Sequence, residues 1–258
     1  MKKTKFFVFL KIVEVAQNNF ERKRQMNEEK INGKEKMTDK ERVAVSPAVI
    51  RRLPRYYRYL RELIRCGQSR ISSGELSRLM NVTASQIRQD LNCFGGFGQQ
   101  GYGYNVNYLY AKISEILGVG DNFSAIIIGA GNLGRALVGT RMFERRGVDV
   151  VAMFDVDPNV IGKEFGDVKV YSMDMLEEFC EDKRIDMAVL ALPKEVADEA
   201  VERLSAAGVK GIWNFTGKEI SVGGDLVFED VYLGDSLMTL CYGIRESNIE
   251  KAEKEAKK

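Results

Sequence analysis

The 258-residue sequence contains no histidine. No histidine-based triad, general base or metal ligand can exist in it, which removes many enzyme classes at once. Cysteine is scarce. Cys66, Cys93, Cys180 and Cys241 are scattered and form no Cys-x-x-Cys pair. That spacing argues against a zinc site or a disulfide framework and fits reduced, buried thiols in a cytoplasmic protein. Long apolar runs are missing too. The run Phe6–Leu10 has five residues before Lys11 interrupts it. A membrane span needs about 20 apolar residues, and a secretory leader needs a longer core, so no membrane association is expected. Residues 1–42 read as a disordered or partly helical extension, with Met26 or Met37 as alternative starts.

What is present is an ordinary soluble composition, 45% hydrophobic and 29% charged, with enough length for one large or two modest domains. The net charge of +2 hides an asymmetry. Residues 1–120 carry 22 Lys and Arg against 11 Asp and Glu, a net +11; residues 121–258 carry 17 against 26, a net −9. A basic half joined to an acidic half suggests a polyanion-binding module attached to something else. A solvated surface with chance clustering is the blander alternative.

The strongest motif lies in the acidic half. Ala125–Ile128 read as a buried strand, glycines follow at 129, 131 and 134, and a helical pattern begins. This is Gly-x-Gly-x-x-Gly between strand and helix. Gly129 would permit the tight turn, Gly131 the approach of a pyrophosphate, and Gly134 close packing of helix on strand. The next strand, Val148–Phe154, ends at Asp155, 21 residues past Gly134. An acid there would accept hydrogen bonds from a ribose 2′-hydroxyl and repel a 2′-phosphate, which favours NAD over NADP. The candidate cofactor-binding set is Gly129, Ala130, Gly131, Asn132, Leu133, Gly134 and Asp155, with Asn214 at the end of a later strand. A purely structural strand-turn-helix remains the alternative.

The basic half reads as a helix-turn-helix. Ser46-Pro47 opens a helix with an expected apolar stripe of Ile50, Leu53, Tyr57, Leu60 and Ile64, and Pro54 is expected to kink or divide it. Its other faces carry Arg51, Arg52, Arg55, Arg58, Arg61 and Arg65, read as a phosphate-facing surface. Ser72 or Ser73 caps a short helix. Thr83-Ala-Ser-Gln86 reads as a capping box for the next one, which would bury Ala84, Ile87, Leu91 and Phe94. Ser85, Gln86, Arg88, Gln89 and Asn92 remain on its outer face, where Arg can read guanine and Gln or Asn adenine. The Gly and aromatic run Gly95–Tyr104 suits a β-hairpin wing, with Gln100 and Tyr102 as supporting DNA contacts. A flexible loop is the alternative.

The remaining expectations follow the doubly wound pattern. A helix Tyr108–Leu117 connects the halves. Strands are expected at Lys169–Tyr171, Asp186–Leu192, Gly211–Asn214 and Leu226–Phe228. Helices follow Ser172 and Pro193, and a last helix runs from Gly234 to about Glu250 before a frayed tail. The expected domains are 43–107 for the winged helix, 108–120 for the linker, 121–233 for the nucleotide domain and 234–250 for the last helix, with the tail at 251–258.

Taken together, residues 46–249 resemble the Rex family of redox-sensing transcriptional repressors. The carrying motifs are Ser85-Gln-Ile-Arg-Gln-Asp-Leu91, Phe94-Gly-Gly-Phe-Gly98, Gly101-Tyr-Gly-Tyr104, the Gly129–Gly134 fingerprint, Phe154-Asp-Val-Asp-Pro158 and Ala207-Gly-Val-Lys-Gly-Ile-Trp-Asn-Phe215. The resemblance implies an α/β chain: an N-terminal winged helix-turn-helix, a C-terminal Rossmann domain, and a C-terminal helix exchanged in a homodimer. It implies that NADH and NAD+ compete for one site, and that NADH closes the dimer and releases double-stranded operator DNA. It implies no metal and no catalysis. Rex proteins usually carry a basic residue where Gln89 stands, and another in the wing where Gln99 and Gln100 stand. Their usual switch tyrosine and aspartate correspond to Thr140, placed one turn on along the first nucleotide-domain helix, and Tyr232; Arg58 matches the switch arginine. Two alternatives stay open: a paralogue with weakened DNA binding or redox response, and an NAD-dependent oxidoreductase.

Overall fold

A computed structural model of the chain describes residues 45–94, 98–99, 103–220 and 226–256. The expected extension at 1–42 and the wing residues Gln100 and Tyr102 lie outside them. The chain divides into two compact units, with the boundary between Tyr110 and Ala111.

In the first unit, α1 (Pro47–Arg65) runs unbroken past Pro54. Proline removes one backbone donor, but Leu53 and Tyr56 are fully buried on either side and carry the helix through. The buried stripe is Val49, Leu53, Tyr56 and Leu60, one residue away from the expected Ile50 and Tyr57. Ile50 is exposed, and Tyr57 stacks on Tyr110 at 4.8 Å. Ser46 sits at the N-cap without a side-chain cap bond.

Next come β1 (Arg70–Ile71), α2 (Ser73–Met80) and α3 (Ala84–Asn92). The full capping box belongs to α2, where Ser72 and Glu75 exchange bonds. At α3 only half of it forms. Thr83 Oγ1 accepts from the Gln86 N–H at 3.1 Å, while the Gln86 side chain turns to Asp90. β2 (Gly98–Gln99) and β3 (Gly103–Asn105) then pair antiparallel, and β1 joins them in the order β1-β3-β2. That is the hairpin expected of a wing. α4 (Val106–Ile116) follows.

The second unit is a parallel sheet. Its strands are β4 (Phe123–Ile128), β5 (Val148–Asp155), β6 (Glu164–Phe165), β7 (Val168–Ser172), β8 (Met187–Leu190), β9 (Gly211–Asn214) and β10 (Val227–Asp230). They lie in the order β10-β9-β8-β4-β5-β7-β6, with only β6 antiparallel. Three helices connect them: α5 (Asn132–Val138), α6 (Leu176–Lys183) and α7 (Ala197–Ala206). Successive residues of β4 point to opposite faces. Ile126 and Ile128 pack with Phe154, Leu176, Phe179, Val201 and Leu204, while Ile127 packs with Phe143, Met153 and Val189. Both faces are covered, which is why the strands read as unbroken apolar runs rather than alternating ones.

The last helix, α8 (Leu233–Ala256), has 24 residues and runs to Ala256, into the tail expected to fray and past the expected end near Glu250. Its Ala, Glu and Lys are good helix formers. Leu237, Met238, Leu240, Tyr242 and Ile244 on it are each more than half exposed.

Candidate functional site

The sheet order places β4 where the chain reverses direction: β5 lies to one side and β8 to the other. Ligands of doubly wound sheets sit at the C-terminal strand ends of such a switch point. A cavity of about 290 Å³ opens there. Ile128, Gly129 and Gly131 form one wall, and Phe154, Asp155 and Val156 a second. The third is Ala191, Leu192 and Pro193 after β8, with Val196, Glu199, Ala200 and Arg203 beside them.

Each glycine of the loop has its own reason. Gly129 has φ +103°, and a Cβ on it would lie 2.3 Å from the Ala191 carbonyl oxygen. A Cβ on Gly134 would lie 2.0 Å from the Gly129 oxygen. Both are demanded by the protein's own packing. Gly131 differs: its φ is −72°, and a Cβ there meets nothing within 4 Å. No intramolecular contact requires glycine at 131. It lines the cavity, and a ligand approaching the backbone would account for it.

Asp155 closes the loop from the neighbouring strand. Its Oδ2 accepts from the Ala130 N–H at 2.6 Å and its Oδ1 from the Asp157 N–H at 2.9 Å. The carboxylate is thereby held at the cavity edge, with lone pairs left for a ligand hydroxyl. The Asn132 side chain turns back to accept from Arg135 at 2.9 Å, and Leu133 is half-buried. Asn214 sits elsewhere. It is buried, absent from the cavity lining, and its amide is fully used: Oδ1 accepts twice from Thr216, and Nδ2 donates to the Lys218 carbonyl and to Asp230.

In the first unit, Ser85, Arg88, Gln89 and Asn92 are exposed on α3, as a readout face requires. Arg88 is steadied by Ser73 at 3.1 Å. Gln86 is half-buried and donates to Asp90 at 2.8 Å. Arg51 is exposed. Arg52, expected on a phosphate-facing surface, instead makes a two-point ion pair with Asp90, both contacts at 2.7 Å. Arg55 donates to the Met80 carbonyl, and Arg65 pairs with Glu62. The arginine surface is therefore smaller than the sequence count suggests.

Asp90 is the hub the sequence reading missed. It is fully buried and also accepts from the Tyr56 hydroxyl at 3.0 Å. Burial alone would raise its pKa, but hydrogen bonds from Arg52, Gln86 and Tyr56 outweigh that and hold it below the usual carboxylate range. A signal existed: Asp90 is the one acid between Glu75 and Glu115, and it lies beside Leu91 and three residues past Ile87.

The chain resembles known proteins over most of its length. Residues 44–92 match the family model described as "Putative DNA-binding protein N-terminus", and residues 121–217 match the CoA binding domain. The redox-sensing transcriptional repressor Rex of Caldicellulosiruptor bescii is 49% identical over 207 residues, 80% of this chain and 95% of that protein. The Rex protein of Clostridioides difficile is 48% identical, over 78% of this chain and 96% of that one. The chain belongs to the Rex family. Among solved structures, the Rex-family repressor RSP in complex with NAD+ and operator DNA aligns with a TM-score of 0.74 at 49% identity, covering 81% of this chain and 97% of that one. RSP in complex with NADH aligns at 0.75 and 46% identity, covering 81% and 98%.

The residues expected at the switch positions, Arg58, Thr140 and Tyr232, lie among the described residues. Arg58 is exposed, with its guanidinium 5.6 Å from the Tyr59 ring centre. Thr140 lies beyond the first nucleotide-domain helix, not on it. α5 stops at Val138, and Thr140 Oγ1 donates to the Leu137 carbonyl at 2.8 Å. Tyr232 stands between β10 and α8 and is 36% exposed. The cavity wall contributed by α7 went unseen in the sequence. Arg203 there is fixed by Glu177 through two contacts of 2.7 and 2.8 Å and by the Met173 carbonyl at 2.6 Å.

Proposed function

We propose that this Rex-family chain is a cytoplasmic, homodimeric repressor that binds double-stranded operator DNA and releases it when NADH replaces NAD+. The observation that carries the reading is Gly131: an open glycine over a cavity at the switch point, in a chain whose other unit exposes Ser85, Arg88 and Gln89 on one helix. The structures of the relative RSP with NAD+ and operator DNA, and with NADH, support the same ligands here. The residues present fit the nucleotide. Gly129, Ala130, Gly131, Asn132, Leu133 and Gly134 would cradle the pyrophosphate, and Asp155 would take the adenosine ribose. NAD(H) supplies the redox signal through the charge and shape of its nicotinamide ring. The uncovered α8 supports exchange with a second copy, because isolated monomers rarely expose so large an apolar surface. No catalytic role is proposed for any residue. Among the described residues no helix is long and apolar enough to cross a membrane and no cluster could hold a metal.

Physically the response is a population shift. NADH must favour the released state by more than operator DNA favours the bound one. The test is an operator-binding titration with NADH and with NAD+ at fixed salt. Release by NADH at concentrations where NAD+ has no effect is expected; binding indifferent to both would overturn the reading.

Two further outcomes are expected. Asp155→Ala should weaken NADH about tenfold, the worth of one charge-assisted hydrogen bond, and narrow its preference over NADPH. Calorimetric titration with both nucleotides checks this, and an unchanged preference would count against the ribose role. Arg88→Ala should weaken operator binding by about 1–3 kcal/mol without changing the melting temperature, and Gln89→Lys should steepen the salt dependence by about one phosphate contact. Anisotropy titrations over a range of salt measure both.

A further inference from the structure

A hydrogen-bond path leads from the first turn of α7, beside the cavity wall, to the root of α8. Asn214 lies at its centre. It is the last residue of β9 and is 1% exposed. In the sheet it stands opposite Asp230, the last residue of β10. Two bonds tie it across that pair. Asn214 Nδ2 donates to Asp230 Oδ1 at 2.7 Å, and the Val231 N–H donates to the Asn214 carbonyl at 2.8 Å. Asp230 and Val231 are followed by Tyr232 and then by α8. Asn214 thus holds the last residues before that helix by both side chain and backbone.

The other half of the amide faces the opposite way. Asn214 Oδ1 accepts from the Thr216 N–H at 3.0 Å and from its hydroxyl at 2.7 Å, and Nδ2 donates to the Lys218 carbonyl at 2.8 Å. These bonds shape the 215–218 loop at the C-terminal end of β9. Lys218 Nζ then pairs with Asp198 at 2.5 Å in the first turn of α7. The next residues of that turn, Glu199 and Ala200, line the cavity. No polar atom of the Asn214 side chain is spare. The loop therefore cannot shift relative to Asp230 without breaking a part-buried hydrogen bond of the buried Asn214 amide, leaving one of its polar atoms unsatisfied.

We propose that Asn214 and Asp230 form a positioning latch that passes nucleotide occupancy from the 215–218 loop and α7 to the root of α8. This rests on the NADH-release reading above and assigns the residues through which this chain would transmit it. Neither residue touches the nucleotide in this scheme. Their role is to make the loop and the helix root move as one body, so that an arrangement favoured by NADH on one side is imposed on the other.

The test uses the full chain and the exposed partner, Asp230, because removing buried Asn214 would perturb folding. Asp230→Ala deletes the acceptor. Asp230→Asn keeps an acceptor oxygen at the same place but removes the charge. Trp213, the single tryptophan, lies beside Asn214 and packs against Phe215 at 4.7 Å. Energy transfer from its emission to bound NADH reports nucleotide affinity independently of DNA. Operator anisotropy reports release.

For Asp230→Ala, NADH affinity and nucleotide-free operator affinity should stay within about twofold of the parent, while the NADH concentration for half-release rises by about tenfold or more. Asp230→Asn should release at the parent's NADH concentration. Release by Asp230→Ala at the parent's concentration overturns the latch. So does a loss of NADH affinity matching the shift in release, which would make Asp230 part of the site. Asp230→Asn behaving like Asp230→Ala also overturns it, because charge and not the bond would then matter. Failure of the parent chain to release DNA with NADH is distinguishable from all of these: it overturns the sensing reading, and the latch with it.

Discussion

Gly131→Val is expected to abolish NADH binding and leave the fold intact. The backbone at 131 is extended, a conformation valine adopts readily, and a Cβ there meets no protein atom within 4 Å. The added methyls would instead occupy the space above the cavity where a pyrophosphate must approach the backbone. A loss of at least about 100-fold in affinity is expected, about 2.8 kcal/mol at 1.4 kcal/mol per decade. Melting should be unchanged within error. Gly134→Ala is the contrasting variant. Its Cβ would press to 2.0 Å from the Gly129 carbonyl oxygen and 3.1 Å from Met153 Cε. Backbone cannot yield cheaply there, so about 3 kcal/mol of destabilisation is expected, a fall of about 6–12 °C in the melting of that unit. Thermal melts paired with NADH titrations check both. Full NADH affinity in Gly131→Val would remove the main support for the nucleotide site.

The second large effect is expected at Asp90. Asp90→Ala would leave the Arg52 guanidinium, the Tyr56 hydroxyl and the Gln86 amide without their shared acceptor. Asp90 is buried while Arg52 is part-exposed, and leaving the three donors without their acceptor costs about 1–3 kcal/mol for each one that stays buried. The first unit should unfold at markedly lower urea concentration, and operator binding should fall with it, because Asp90 ties α3 to α1. Replacing both Arg52 and Asp90 by leucine should cost less than Asp90→Ala alone, since no charge is then stranded. Equal stability of Asp90→Ala and the parent chain would show that the network contributes nothing. The pH dependence has a defined sign. Asp90's folded pKa lies below its ordinary value, so its contribution is complete at neutral pH. It is lost only as pH falls below the ordinary carboxylate range and through the depressed folded value. Arg52 and Tyr56 are both shifted upward by their bonds to Asp90, Tyr56 mainly by burial, and both remain protonated donors throughout.

Much of this architecture is legible in the residues. The glycine fingerprint is a local device: Gly134 must be small because of Gly129, five residues earlier. Strands β4 and β8 show as apolar runs because both faces of the sheet are covered. The exposed face of α3 follows from the 3.6-residue period alone. Where neighbours compete, period is not enough. Val49 against Ile50 and Tyr56 against Tyr57 are equally good choices for a stripe, and the structure selects Val49 and Tyr56. Tyr56 goes inside because Asp90 offers its hydroxyl a partner there. The count of six arginines on α1 likewise says nothing about which are neutralised.

The sequence by itself determined the glycine turn from β4 into α5 with an acid at the end of the next strand, the exposed face of α3, and the exclusion of histidine chemistry. These depend on spacing within a single element or between adjacent ones. Only the tertiary structure decided that Arg52 belongs to Asp90 and not to a surface, that Thr140 falls beyond α5, that α7 walls the cavity, and that Asn214 holds Asp230. Each joins residues whose meeting depends on how separate elements pack. A side chain's partner is set by the lowest-energy packing of the whole unit, and no periodicity along the chain records it.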